Sequence, residues 1–371
     1  MKKCLIPLAL AALILAFPVK CLAAPDCSAA SCILMEPETG DVLFEKSADE
    51  PSRIASTTKI MTALVVLENC RLSERVMITE EAASVEGSSM YLAAGESLTV
   101  RELLYGLLLA SGNDAAAALA LHTAGSTERF CEMMNERAAL LGCRHTSYAN
   151  PHGLDAEGHY STARDLAVIT AEAMKNPVFA DIVATTSLSV SGREYTNHNR
   201  LLWEYDGACG VKTGFTSGAG RCLVSCVERD GMRLLCVTLN DPADWEDHAA
   251  LYDWAYASWR CVTVEKGDTR FGPAAVISGK ANSVDSVTAD RFLAVIPKDA
   301  QISFRVHMPR FVYAPVSAGD KAGSVDVLID GKSAGEIGLL FGADCSLDER
   351  SALGGLRRFL RSLDLLLEDV I

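Results

Sequence analysis

The sequence is poor in positive charge and, beyond its first 23 residues, in long apolar segments. It has 34 lysine and arginine residues against 48 aspartate and glutamate residues, a formal net charge of −14. A nucleic-acid partner would need a basic stripe to neutralise phosphates, and the sequence has none, so we exclude nucleic acid from the expected partners. With 49% hydrophobic and 22% charged residues, the chain can bury a core and is not expected to be disordered.

Metal-binding spacings are also missing. The chain has 13 cysteines but no CxxC pair, and its seven histidines form no HExxH motif, so we expect no metal site. Cys4 and Cys21 lie in the N-terminal segment, which leaves eleven cysteines, an odd number, several of them within apolar runs. We therefore predict mostly free, buried thiols, with Cys27 and Cys32 as a candidate exposed pair.

Residues 1–23 have the composition of an export signal. Lys2 and Lys3 precede the apolar segment 4–19, and Ala23 offers a small residue at the cleavage position. The apolar run has about 16 residues, fewer than the roughly 20 that span a bilayer, which favours a cleaved signal over a retained membrane helix. We therefore predict an exported protein of the cell envelope, with a mature chain of 348 residues and a formal charge of −17.

The hydrophobic pattern predicts an α/β domain over residues 25–260 and a small β-rich domain over 261–349. Strand-like segments lie at 32–48, 210–213, 222–227 and 233–239. Helical patterns lie between the first and second of these segments, at 56–67, 100–109, 115–121, 127–141 and 162–174, and another helix is predicted at 245–259. Residues 350–371 place leucines on one helical stripe. We predict an amphipathic helix that anchors the protein to a membrane surface; docking on its own domain or on a partner is the alternative.

Ser56 and Lys59 form an SxxK motif at the predicted start of a helix, where Ser56 would be the N-cap. Positions i and i+3 share one helical face, so the amine can reach the hydroxyl. A desolvated lysine can take the proton of a serine hydroxyl and so make it a nucleophile. Chance alone also produces such a motif on protein surfaces, so it carries little weight by itself.

Two further motifs fit the same chemistry. Ser111 and Asn113 form an SxN in a break between two predicted helices, and Lys212, Thr213 and Gly214 form a KTG on a strand edge that could bind a carboxylate. Singly, each has an ordinary explanation as a helix cap or a hairpin turn. Together, the motifs occur in the order SxxK, SxN, KTG, and the second and third begin 55 and 156 residues after Ser56. This set of motifs is associated with β-lactamases and penicillin-binding proteins.

The chain resembles the D-alanyl-D-alanine carboxypeptidases, the low-molecular-weight penicillin-binding proteins of serine peptidase family S11. The resemblance covers about residues 32–260, and it includes the segments IASTTKIMTALVVLE, LLLASGNDAAAALA, NPHGLDAEGHYSTARDLA and GVKTGFTSGAGRCL. It implies a transpeptidase-like α/β domain, with an antiparallel sheet between helices and a helical subdomain. The small β domain and the C-terminal helix also resemble the family's arrangement, which implies a peripheral location on the outer face of the cytoplasmic membrane.

The resemblance implies a catalytic role for three residues. Ser56 would attack the carbonyl between the two terminal D-alanines of a peptidoglycan stem peptide, Lys59 would be its general base, and Ser111 would relay the proton to the leaving D-alanine. β-Lactam antibiotics would acylate the same serine. No metal or organic cofactor is implied.

The remaining site residues would bind the substrate. Asn113 would hold the peptide amide, and Lys212 and Thr213 would recognise the terminal carboxylate. Gly214 would let the substrate backbone approach. The backbone N–H groups of Phe215 and of the nucleophile would form the oxyanion hole.

Two positions depart from the family pattern. Ile54 stands where the family often has proline, with little expected chemical consequence. Some members place an arginine after the last sheet strand to hold the substrate carboxylate, whereas residues 240–248 read NDPADWEDH and contain none. Carboxylate binding would then depend on Lys212 and Thr213, and substrate preference stays open.

Three alternative functions share these motifs. A serine β-lactamase of class A would need an ExxLN glutamate, which the sequence lacks. A D,D-endopeptidase is closer and stays open. A non-catalytic cell-wall-binding homologue would not be expected to keep both lysines.

Overall fold

The computed structural model describes residues 23–267 and 269–349. Its strands are β1 Ser31–Met35, β2 Val42–Lys46, β3 Arg75–Met77, β4 Ser97–Thr99, β5 Ser187–Val190, β6 Arg193–Thr196, β7 Ala208–Thr216, β8 Gly220–Arg229, β9 Met232–Leu239, β10 Trp259–Val264, β11 Arg270–Ile277, β12 Ser283–Thr288, β13 Phe292–Pro297, β14 Ile302–His307, β15 Phe311–Tyr313, β16 Lys321–Ile329 and β17 Lys332–Phe341. Its helices are α1 Lys59–Asn69, α2 Glu80–Ala83, α3 Val100–Leu108, α4 Asn113–Ala124, α5 Thr127–Leu140, α6 Ala163–Met174, α7 Pro177–Ala184, α8 Leu201–Glu204 and α9 Asp244–Ser258, and a 3₁₀ turn, Ala55–Thr58, directly precedes α1.

Both predicted targeting elements fall outside this range. The signal segment, apart from residue 23, and the predicted amphipathic helix at 350–371 lie outside the described residues. Within 23–267 and 269–349, none of the helices combines the length and the apolar character that crossing a bilayer requires.

A five-stranded sheet in the order β2-β1-β9-β8-β7, antiparallel throughout, forms the centre of the first part of the chain. Alternate residues of a strand point to opposite faces of a sheet. Ile33 and Met35 of β1 accordingly pack in the core that includes α1 and α6, whereas Cys32 and Leu34 pack in a second core with Tyr252 of α9. Helices therefore cover both faces of the sheet, which confirms the predicted α/β architecture.

The helical block beside this sheet holds two of the three motifs. A capping box starts α3, because Thr99 accepts a hydrogen bond from the Glu102 N–H and the Glu102 carboxylate accepts one from Thr99 N–H. The helix ends at Leu108, and α4 begins at Asn113. The SxN motif therefore lies between two buried helices, as its sequence context predicts, and α1 packs against both of them.

The chain from β10 onward is rich in β-strands, as predicted. The strand β10 follows α9 directly and pairs with β13. The other strands form a six-stranded sheet in the order β14-β16-β17-β12-β11-β15, with a core that includes Val325 and Leu339.

The cysteines of the described residues are all free, and most of them are buried. The prediction of an exposed Cys27–Cys32 pair is wrong: Cys32 is fully buried, Cys27 is 8% exposed, and the two are not bonded to each other. The physical reason is that both lie in the apolar core between the sheet and α9.

Candidate active site

Ser56 lies in the 3₁₀ turn that leads into α1, and it is partly exposed. The turn is held from within, because Thr57 donates to the Ile54 carbonyl through both its N–H, at 3.2 Å, and its hydroxyl, at 2.6 Å. Ser56 is therefore not the N-cap of α1. That position falls to Thr58, which makes no side-chain capping bond, so the N-cap prediction is wrong. The serine hydroxyl is left free of a structural role.

Lys59 is fully buried beneath Ser56 and contacts three oxygens. Its Nζ lies 2.8 Å from Ser56 Oγ, 2.7 Å from Asn113 Oδ1 and 2.7 Å from the carbonyl oxygen of His152. The two carbonyl oxygens can only accept hydrogen bonds. A neutral amine has two N–H groups and one lone pair, so it satisfies both carbonyls and directs its lone pair at the serine hydroxyl. This is the geometry of a general base.

The protonation of this lysine follows from its surroundings. Burial lowers the pKa of Lys59 well below its usual range, and the charge of Lys212 lowers it further, while Asp114 acts in the opposite direction. Burial also lowers the pKa of Lys212, to about 7. Burial therefore favours the uncharged form of both lysines.

Ser111 and Asn113 come to the site from the break between α3 and α4. Ser111 has a left-handed backbone with φ +59°, an uncommon conformation for a residue with a side chain, and it is 4% exposed. Asn113 is 3% exposed, and both ends of its amide are occupied: Oδ1 accepts from Lys59 and Nδ2 donates to the Glu86 carbonyl at 2.7 Å. Asn113 therefore orients the lysine, and its expected contact with a substrate amide stays a prediction.

The KTG motif lies on β7, an edge strand of the five-stranded sheet. Lys212 is 1% exposed, and its Nζ donates to the Thr213 carbonyl at 2.9 Å. Thr213, Gly214 and Phe215 reach the cavity next to the serine, and the Phe215 side chain is 69% exposed. The strand therefore offers a free edge beside Ser56.

These segments surround one cavity of about 430 Å³. Its lining consists of Ser56, Ser88, Ser111, His198, Arg200, Thr213, Gly214, Phe215, Arg221, Asp244 and Trp245. The structure thus brings the three motifs together although 156 residues separate the first from the last. Lys59, Asn113 and Lys212 lie behind this lining.

Asp114 is a site residue that our sequence reasoning missed. Its buried carboxylate accepts hydrogen bonds from the Ser89 hydroxyl at 2.6 Å and from the N–H groups of Met90 and Leu92 at 3.0 and 3.1 Å. It thereby fixes the loop that contributes Ser88 to the cavity. Its position directly after the SxN was the available signal.

The loop at 150–159 was part of the resemblance, but no role was predicted for its residues. It supplies the His152 carbonyl to Lys59 and the Pro151 carbonyl to Thr62 at 2.6 Å. His159 lies 2.8 Å from Thr58 Oγ1, and burial lowers its pKa to about 4. A neutral His159 therefore helps to fix the turn that carries Ser56.

Two clusters of ligating side chains occur among the described residues. One consists of Cys70, Glu74 and His122, and the other of Cys27, Asp241 and Asp247. None of these six residues lines the cavity at Ser56.

A serine beside a buried lysine whose pKa is lowered, next to a free strand edge, defines a serine hydrolase of the penicillin-binding type. Comparison with known proteins agrees with this class. The family model described as D-alanyl-D-alanine carboxypeptidase (peptidase S11) matches residues 19–243, and that of the penicillin-binding protein 5 C-terminal domain matches residues 262–346. The chain therefore belongs to the D-alanyl-D-alanine carboxypeptidase family.

Individual relatives cover most of the chain. It is 33% identical over 323 residues to the D-alanyl-D-alanine carboxypeptidase DacF of Bacillus subtilis, and the aligned segment covers 82% of each chain. It is 34% identical over 330 residues to the D-alanyl-D-alanine carboxypeptidase DacC of Escherichia coli, and this segment covers 84% of this chain and 82% of the relative. Among solved structures, penicillin-binding protein 5 from Haemophilus influenzae matches with a TM-score of 0.71 at 28% identity, over 88% of this chain and 99% of that one.

Proposed function

We propose that this chain is a serine-type D-Ala-D-Ala carboxypeptidase that removes the terminal D-alanine from peptidoglycan stem peptides through an acyl-enzyme on Ser56. The observation that carries the proposal is the contact of Lys59 with two carbonyl oxygens and the serine hydroxyl. Family membership supports the substrate class.

The acylation step follows from this geometry. Lys59 accepts the Ser56 proton while Oγ attacks the carbonyl carbon between the two D-alanines, and the carbonyl oxygen becomes an oxyanion. The N–H groups of Ser56 and Phe215 stabilise that charge as it develops. The proton passes from Lys59 through Ser111 to the departing nitrogen, the C–N bond breaks, and D-alanine leaves with its amine restored.

Deacylation reverses the roles. A water molecule gives its proton to Lys59 and attacks the ester carbonyl, the C–O bond to Ser56 breaks, and the serine recovers a proton from the lysine. A β-lactam would also acylate Ser56: its lactam C–N bond breaks, and the ring-opened molecule stays attached as an ester, which makes the chain a penicillin-binding protein.

The decisive experiment measures D-alanine release from a peptide that ends in D-Ala-D-Ala, with the protein and its Ser56→Ala variant. Release that disappears in the variant is the expected result. The matched control is Ser88→Ala, which changes a hydroxyl in the same cavity outside the proposed relay and should keep most of the release. Release that persists without Ser56 would overturn the proposal, and so would a wild-type protein that releases nothing.

We also propose export of the protein and its attachment to the outer face of the cytoplasmic membrane. The composition of residues 1–23 and the leucine stripe of 350–371 support this location. In cell fractionation, the full chain should go to the membrane fraction, and a chain that lacks 350–371 should be exported but released from it. Unchanged partitioning of the shortened chain would overturn the anchoring role of that segment.

A further inference from the structure

Arg221 lines the cavity at Ser56 from the strand next to the KTG motif. It belongs to β8, where it pairs with Phe215 of β7. Residues paired across two antiparallel strands point to the same face, and so do residues two apart along one strand. The Arg221 side chain therefore lies on the same face of the sheet as Thr213 and Phe215, and all three line the cavity.

The guanidinium group of Arg221 is held in place by the start of α9. Its Nε donates to Asp244 Oδ1 at 2.9 Å, its Nη2 lies 2.8 Å from the same oxygen as an ion pair, and its Cζ lies 5.7 Å from the centre of the Trp245 ring. The Asp244 side chain is 4% exposed, whereas that of Arg221 is 43% exposed. A guanidinium has five N–H groups, so its pairing with a single carboxylate oxygen leaves others available to a ligand.

The charges around the cavity indicate what such a ligand would be. Lys59 and Lys212 are buried, and neither is among the residues that line the cavity. Arginine stays protonated in proteins. Among the described residues that line the cavity, the permanent positive charges are those of Arg221 and Arg200, so an anionic group entering the cavity has these two to meet.

Arg200 differs from Arg221 in how it is placed. Its Cζ lies 5.8 Å from the same Trp245 ring, but its carboxylate partner is the exposed Glu204, four residues further along the chain. Its side chain is 58% exposed. It lacks the buried partner that fixes Arg221, and it does not lie on the strand beside the KTG motif.

We propose that Arg221 binds the terminal carboxylate of the substrate beside Thr213, with Asp244 and Trp245 as its positioning residues. The proposal rests on the carboxypeptidase function proposed above and names the group that recognises its substrate. Residues 240–248, after the last strand of the sheet, contain no arginine. They supply instead the aspartate and the tryptophan that hold Arg221.

The test compares two substrates that differ only in this charge: an N-acylated peptide ending in D-Ala-D-Ala, and the same peptide with a C-terminal amide. Arg221→Gln should lower kcat/KM for the acid by roughly 10–100-fold, which is the range expected when one charge-assisted hydrogen-bonded pair is lost. The kcat/KM for the amide should fall by much less. Arg221→Lys should recover part of the loss. Arg200→Gln, the matched control, should have a small effect that disappears at high salt.

Equal losses on the acid and the amide would overturn the proposal, and so would an Arg200→Gln effect as large as that of Arg221→Gln. Failure of the proposed function would look different, because the wild-type protein would then release no D-alanine from the acid. In that case the variants are compared by the rate at which benzylpenicillin and its methyl ester acylate Ser56, followed by mass spectrometry. A loss confined to the free carboxylate is again the expected result.

Discussion

Gly214 lies so close to Ser56 that a β-carbon added to it would be 3.0 Å from the Ser56 nitrogen. The same carbon would lie 3.1 Å from the Ala55 β-carbon and from the Ile54 carbonyl oxygen. These neighbours belong to the tight turn that carries the nucleophile, so they have little freedom to move. The contact joins the third motif of the sequence to the first and fixes the width of the proposed oxyanion hole.

We therefore expect Gly214→Ala to slow acylation of Ser56 by benzylpenicillin by about 10²-fold, the cost of disturbing one oxyanion donor. The matched control is Gly218→Ala in the turn after the same strand. Its β-carbon would meet the ends of the flexible Arg53 and Asp155 side chains, which can move away. Acylation should therefore survive there. Equal acylation rates in Gly214→Ala and Gly218→Ala would contradict the view that the close approach of Gly214 to Ser56 shapes the oxyanion hole.

Lys59→Ala should lower the rate of Ser56 acylation by about 10²–10⁴-fold, because it removes the proposed base. The fold should survive with lower stability, because the Asn113 and His152 carbonyl oxygens lose their donor. Circular dichroism and thermal unfolding would verify this, and Lys175→Ala, at an exposed lysine, is the control. An undiminished acylation rate in a folded Lys59→Ala protein would disprove the role of the lysine.

The pH dependence of acylation should report the proton of Lys59. Because burial lowers its pKa, the rate should rise with pH to a plateau whose midpoint lies well below 10.5, the ordinary lysine value. Asn113→Asp places a negative charge next to the ammonium form and favours it, so the midpoint should move to higher pH.

Asn113→Ala is the matched control for that shift. Both variants lose the hydrogen bond to the Glu86 carbonyl, but only the aspartate adds charge. Stopped-flow acylation across pH gives both midpoints. Identical midpoints in the two variants would mean that Lys59 is not the titrating base.

His248 should make the protein sensitive to acid. Its ring is fully buried, with Nδ1 2.6 Å from Ser225 Oγ and Nε2 2.9 Å from Thr238 Oγ1, and burial lowers its pKa from 6.5 to about 4. The unfolded chain binds a proton that the folded chain does not, so this group lowers stability as pH falls from about 6.5 to about 4. At pH 5 the free energy of unfolding should be about 2 kcal/mol lower than at neutral pH because of this group.

Urea unfolding at pH 7 and pH 5 would measure this effect. His248→Gln should lose less stability than the wild type between the two values, by about 2 kcal/mol. Burial also lowers the pKa values of His152 and His159 to about 4, so the free energy of unfolding of the variant should still depend on pH to some extent. If both proteins lost the same unfolding free energy between pH 7 and pH 5, His248 would not be the group that causes the acid sensitivity.

The sequence by itself determined the longer helices, the strands of the central sheet and the identity of the motif residues, but not the short elements β3 to β6, α2, α7 and α8. Helical and strand periodicities extend over a few neighbouring residues, so they predicted α3, α5, α6 and the strands of the central sheet close to their observed bounds. The SxxK spacing places Lys59 within reach of Ser56 for the same reason. Contacts that depend on local spacing can be read from local sequence.

The tertiary structure decided what depends on segments far apart in the chain. Desolvation of Lys59, the contacts of Asn113 and the burial of Cys27 and Cys32 all arise from packing between segments far apart in the chain, which their local sequence does not specify. The pairing of Arg221 with Asp244 joins residues 23 positions apart through a sheet and a helix start. Charge and hydrogen bonding at the site depend on burial, and burial is a property of the folded chain as a whole.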